Sequence, residues 1–161
     1  MRQHTYEVRV DWTGNDGQGT RTYQSYRRDH TIAAEGKTEI AGSSDPAFRG
    51  DRSRYNPEEP LVAALSSCHM LAYLHLCAVN GITVQEYRDV VSGLMEETPD
   101  GGGHFVRVVL KPVVTIAAGG DCAKALALHA DAHHACFIAN SVNFPVETAA
   151  VIKETAAARR A

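Results

Sequence analysis

The sequence lacks an excess of charge of either sign. Over 161 residues the formal net charge is −3, so there is no general basic character to draw the chain to nucleic acid or to an anionic membrane surface, and neither partner is expected. A leader-like segment is also missing, because Met1 to Trp12 alternates polar and apolar residues and holds no continuous apolar core. The longest apolar stretch, Leu61 to Val79, is interrupted by Ser66, Ser67, His69 and His75. A spanning helix needs about 20 mostly apolar residues, so this stretch reads as a core helix and the protein as soluble and cytoplasmic. No CxxC pair occurs among the four cysteines, at 68, 77, 122 and 136, which removes the zinc ribbon and the thioredoxin motif. In a reducing compartment a purely structural disulfide is not expected either. There is no GxSxG elbow, and Ser66-Ser67 inside a helix lacks the sharp turn a hydrolase nucleophile needs.

What is present is an ordinary globular composition, 44% hydrophobic and 22% charged. Its length favours one domain over residues 1–161. Tyr6, Val8, Val10 and Trp12 alternate with Glu7, Arg9 and Asp11, which predicts a strand with one buried face. After a turn over Gly14 to Gly19, Thr20 to Arg28 reads as a returning strand and His30 to Ala34 as a third. Gly36 to Tyr55 is polar and rich in turn residues, hence a long loop. A helix follows. Asn56 as cap, Pro57 at the first position and Glu59 as the capping-box acid give one start, and Pro60 gives another; the stop is Asn80-Gly81. Apolar nearly all round, this helix calls for burial on several sides. Strands over Thr83–Glu96 and His104–Ile116 flank the turn Pro99 to Gly103. A second helix runs from Asp121 to about Ala135, a short turn carries Cys136 to Asn143, and Phe144–Ile152 forms a last strand before a tail, Lys153–Ala161, that reads as a frayed helix. The order βββ-α-ββ-α-β is an α+β arrangement.

Cysteine chemistry would have to come from residues that the fold brings together. Cys77 and Cys122 read as space-filling thiols. Cys68 lies among Ser66, Ser67 and His69, and Cys136 ends the polar run His133-His134-Ala135-Cys136. A reactive thiolate needs a neighbouring cation or helix N-terminus; Arg27, Arg28, Arg49, Arg52 and Arg54 are the available cations in the preceding segments. A zinc reading rests on His129 and His133 at i, i+4 with His134 beside them, but no Glu lies between the first two as in a zincin. Helix-surface or partly buried histidines account for them without a metal.

The run Asn56-Pro57-Glu58-Glu59-Pro60-Leu61-Val62-Ala63-Ala64-Leu65-Ser66-Ser67-Cys68-His69-Met70 resembles the acid-to-cysteine motif of the OsmC/Ohr superfamily. The acid of that motif stands ten residues before the first cysteine and matches Glu58, and the second cysteine, 68 residues later, matches Cys136. The element order agrees along nearly the whole chain. Two positions depart from the common pattern: Pro60 follows the double acid where leucine is usual, and Phe137 follows the second cysteine where proline is frequent. They mark a divergent OsmC-like member. The resemblance implies an intertwined homodimer and a thiol-dependent peroxidase acting on organic hydroperoxides. It implies Cys68 as the peroxidatic residue, Cys136 as the resolving residue, and Glu58 paired with an activating arginine, for which Arg28 and Arg49 are the candidates. It implies no metal or organic cofactor, only an external dithiol reductant, for which a lipoylated protein is the precedent. The alternative within the same family is a non-catalytic stress protein or an apolar-ligand-binding dimer with unreactive thiols.

Overall fold

A computed structural model describes residues 1–156 of the chain. The residues form two compact units, the first Met1–Leu61 and the second beginning at Val62.

In the first unit β1 (Arg9–Trp12), β2 (His30–Ala33) and β3 (Ile40–Gly42) form an antiparallel sheet in that order. Val10 pairs with Ile32, and His30 with Gly42. The expected return strand over Thr20–Arg28 does not exist, because its polar groups are used locally. Asn15 Oδ1 accepts from the amides of Gly17 and Gly19, and Ser25 Oγ donates to the carbonyls of Gly19 and Thr22. The role passes to β2, which pairs directly with β1. The long polar loop in turn contains β3 and a 3-10 turn, Pro46–Phe48, capped by Asp45. Asp29, 4% exposed, is held by Arg27, by Ser43 Oγ at 3.3 Å and by Arg54 Nε at 3.8 Å.

Helix α1 (Glu58–Val79) starts from a reciprocal capping box: Glu59 N donates to Asn56 Oδ1 at 3.0 Å, and Asn56 N donates to Glu59 Oε2 at 3.1 Å. Of the two starts the sequence allows, the structure takes the earlier cap, and Pro60 falls in the first turn, where a missing N–H costs least. At the other end Gly81 (φ 73°) takes the left-handed conformation; Ile82 N bonds to Cys77 O and Gly81 N to Ala78 O, a Schellman stop. By length and composition alone α1 could cross a membrane. Its buried side chains, however, are a single stripe spaced by four, Leu65, His69, Tyr73 and Cys77. Leu71 and Val79 on the other faces are 63% and 65% exposed. Within one chain the burial expected on several sides is supplied on one face, that of Leu65, His69, Tyr73 and Cys77, with Val62, Ala72 and Leu76 packed beside them.

In the second unit each long strand expected from the sequence is cut in two, and each half joins a different sheet. β4 (Val84–Asp89), β7 (Pro112–Ile116) and β9 (Val151–Glu154) make one sheet in the order β4-β7-β9. β5 (Ser92–Glu97), β6 (Gly103–Leu110) and β8 (Val146–Thr148) make the other, in the order β5-β6-β8. The switches fall at Val90-Val91, at Lys111 and at Ala149-Ala150. Burial alternates without a break through Val108, Leu110, Pro112, Val114 and Ile116, so one period-2 pattern runs through both strands while the pairing partner changes. The Asp89 carboxylate helps fix this crossing by accepting Lys111 N at 2.7 Å and Ser66 Oγ at 2.5 Å. β8 and β9 pair in parallel with β6 and β7. Lys153 and Glu154 belong to β9, not to a frayed helix; the rest of that expectation, from residue 157, lies outside the described residues.

Helix α2 (Cys122–Ala135) is capped by Asp121, whose Oδ1 accepts Lys124 N at 2.9 Å. Two cores result. Tyr73 and Cys77 of α1 pack with Val114, Ile116 and the α2 residues Ala125, Leu128 and Ala132. Leu65 packs with Val108, Leu110 and the segment Ile138 to Val146.

Candidate active site

Cys68 sits mid-helix on α1, half-buried, and Cys136 is the C-cap of α2, 1% exposed. The cap forms because the backbone leaves the helix at Cys136, whose N–H still reaches His133 O at 3.2 Å. A 3-10 turn, Ala139–Ser141, follows, and Ala139 N donates to the Cys136 sulfur at 3.4 Å. Both cysteines are free thiols. Burial pushes the Cys136 thiol up to about 11; the Ala139 amide works against this, and the Cys68 side chain adds to it through a hydrogen bond and through charge. The fold thus brings together two thiols that lie 68 residues apart in sequence. One is partly open and one is closed to solvent.

Glu58 opens α1, and its Oε2 is buried without a hydrogen-bond partner. An orphan carboxylate oxygen of this kind suits a guanidinium. Arg28 is already engaged within its own loop. It donates to Tyr26 O at 2.6 Å and Tyr23 O at 2.7 Å, and its guanidinium lies over both tyrosine rings, 4.1 and 4.3 Å from their centroids. Arg49 caps the 3-10 turn in the left-handed conformation, φ 66°.

A second polar cluster lies in the core where sequence reading saw only separate histidines. His69 Nε2 and His129 Nδ1 are 2.9 Å apart, both residues being buried. The His129 ring stacks on Tyr73 with centroids 3.9 Å apart, and Tyr73 donates to Ala125 O. Burial, with the His69 charge, lowers the His129 pKa from 6.5 to about 4. Burial and the nearby His133 also lower that of His69, with Asp89 opposing. The only sequence signal was spacing: His69 and Tyr73 are four apart on one helix, and His129 falls on the buried stripe of the other. The zinc reading, set aside above, paired His129 with His133; in the fold its hydrogen-bond partner is His69 of α1. Among the described residues no group of three or more His, Cys, Asp or Glu side chains is placed to hold a metal ion.

A family model described as OsmC-like protein matches residues 50–150. No curated protein matches the chain. Among solved structures, an OsmC-like protein of unknown function from Vibrio cholerae is 32% identical, with 92% of this chain and 100% of that one covered and a TM-score of 0.84. An organic hydroperoxide resistance protein from Legionella pneumophila is 18% identical, covering 95% and 99%, at a TM-score of 0.66. One from Bacillus subtilis is 20% identical, covering 93% and 98%, at 0.58. The last two likenesses are of fold. With the family match across most of the chain and the α+β order of its elements, the chain belongs to the OsmC/Ohr superfamily.

Proposed function

We propose that the protein is a thiol-dependent peroxidase that reduces organic hydroperoxides with Cys68 and Cys136. The observation that carries this reading is the pairing of a half-buried thiol on α1 with a buried thiol at the end of α2, close enough for one to act on the other's ionisation. In the proposed cycle the Cys68 thiolate attacks one oxygen of ROOH. A sulfur–oxygen bond forms, the oxygen–oxygen bond breaks, and the alkoxide leaves and takes up a proton as the alcohol. Cys136 then attacks the sulfenic sulfur, giving a disulfide and water. An external dithiol, in our reading a lipoyl-type group, returns both thiols by exchange. Glu58 and an arginine, for which Arg28 and Arg49 are the candidates, are assigned to stabilising the Cys68 thiolate and the charge developing on the peroxide. The orphaned Glu58 oxygen supports the acid's part in that pair.

The working form is proposed to be a homodimer in the cytoplasm, where dithiol reductants are available. The exposed apolar faces of α1 at Leu71 and Val79 support a second copy. The alternative is a non-catalytic dimer that binds an apolar ligand. It is favoured by Phe137, 74% exposed directly after Cys136. Consumption of cumene hydroperoxide and of hydrogen peroxide with a dithiol separates the two readings, using wild type, Cys68→Ser and Cys136→Ser. Turnover that prefers the organic peroxide and is lost in Cys68→Ser supports the peroxidase. A reduced wild type that consumes no peroxide overturns it.

A further inference from the structure

A cavity of about 470 Å³ lies between α2 and the segment that runs from β8 into β9. Its size is that of an ordinary small-molecule site. Its walls are alanine, leucine and valine side chains together with His129, His133, His134 and Thr148; no Lys, Arg, Asp or Glu contributes. Neither Cys68 nor Cys136 lines it, so a ligand bound here would be independent of the thiol chemistry.

Two of the polar wall residues carry buried atoms without a hydrogen-bond partner, His129 Nε2 and Thr148 Oγ1. His129 is 5% exposed, and its other ring nitrogen is already committed to His69. Buried polar groups are nearly always paired, and these two wall residues each carry one that lacks a partner. The cavity offers no fixed charge to hold an ion, and the His129 ring is held neutral by burial. We propose that this cavity is a binding site for a small uncharged molecule with an apolar body and one hydroxyl or carbonyl oxygen, which hydrogen-bonds to His129 Nε2 and Thr148 Oγ1.

The pairing of the two histidines adds a consequence. One N–H and one lone pair make the 2.9 Å bond between them. The outer nitrogens, His69 Nδ1 and His129 Nε2, therefore present one N–H and one lone pair between them. A carbonyl ligand only accepts. It fixes the proton on His129 Nε2, which leaves Nδ1 to accept from His69 Nε2–H and leaves His69 Nδ1 bare. A hydroxyl ligand can meet either arrangement. Ligand chemistry in the cavity thus sets the tautomer of a histidine adjacent in sequence to Cys68.

The test is a titration of the full chain, labelled with nitrogen-15, at pH 7.5. The probes are cyclohexanol, cyclohexanone, cyclohexanecarboxylate and cyclohexylammonium. Expected are saturable amide shifts at Ala130, Ala149 and Ala150, with cyclohexanone locking the His129 imidazole signals into the Nε2–H form. The two charged probes should bind weaker by about tenfold or more. Thr148→Val keeps shape and strand preference and should weaken the neutral probes by about fivefold. Leu126→Trp, a change at a half-exposed wall position, should block them. The proposal is overturned if the neutral probes give no saturable shifts at these residues. It is also overturned if the carboxylate binds as tightly as the alcohol, or if Thr148→Val folds normally and binds both neutral probes unchanged.

Discussion

Replacing His129 by Phe should make the stability of the protein less sensitive to acid. In the folded chain the His129 pKa lies at about 4, against 6.5 for an ordinary histidine, with burial the larger cause and His69 the smaller. The unfolded chain therefore binds the proton first on acidification. The stability that the neutral buried ring contributes is whole above pH 6.5 and is lost as the pH falls from there toward 4. The gap between those values corresponds to about 3 kcal/mol, at about 1.4 kcal/mol per tenfold. Phe keeps the ring stacked on Tyr73, now 3.9 Å between centroids, but removes the bond to His69. At pH 7.5 the variant should lose about 1–3 kcal/mol for the stranded His69 nitrogen. By pH 4.5 the wild type has lost most of its own advantage, so the two curves should converge or cross, with His69 supplying the slope that remains. Urea midpoints followed by circular dichroism at one fixed protein concentration give both curves. Parallel curves between pH 7.5 and 4.5 would refute the assignment of that acid sensitivity to His129.

Asn56→Ala removes one half of the capping box and should cost about 1 kcal/mol, or about 2–4 °C in Tm; combined with Glu59→Ala the losses should be less than additive, and strict additivity would show that the two residues do not act together. In Cys68→Ser, burial still holds the Cys136 thiol high, so peptide-resolved alkylation by iodoacetamide at pH 8 should be about 100-fold slower than for a free cysteine and climb toward pH 11; a midpoint near 8.5 would contradict this. Gly50→Ala drives a methyl group into the Ser44 carbonyl oxygen, far inside van der Waals contact, so a loss of about 1–3 kcal/mol is expected by denaturant titration, and an unchanged midpoint would mean that the loop relaxes freely.

Much of the fold was legible because the signals are local. The cap at Asn56, one of the two starts the sequence allows, the stop at Gly81 and the opening of α2 at Asp121 each use side chains or backbone within a few residues, and all three are found in the fold. The two-stranded reading of residues 83–116 had the right periodicity but missed the change of partner. Alternation reports which face is buried and is blind to which sheet lies beside it. The return strand at Thr20–Arg28 failed for the opposite reason. Its strand-favouring composition was overridden by Asn15 and Ser25, whose side chains satisfy the backbone in place of a neighbouring strand. In the site, the motif pointed to Cys68 and Glu58, and spacing from a known family pointed to Cys136. The His69–His129 pair was out of reach, because only the packing of α1 against α2 brings together residues 60 positions apart.

The pairing of β8 and β9 has a consequence for synthesis. Both strands add in parallel to partners made much earlier: Leu110 waits for Thr148, and Ile116 for Glu154. At about 5–20 residues per second, a growing chain spends roughly 2–8 s with the outer edges of β6 and β7 already made and nothing available to cover them. Those edges carry Val108, Val109, Val113 and Val114, the β-branched kind that pairs readily with a foreign strand. The last described strands are therefore also what protects the newborn chain from its neighbours. Lesions that weaken them should reduce the yield of soluble protein more than they reduce the stability of molecules that have already folded.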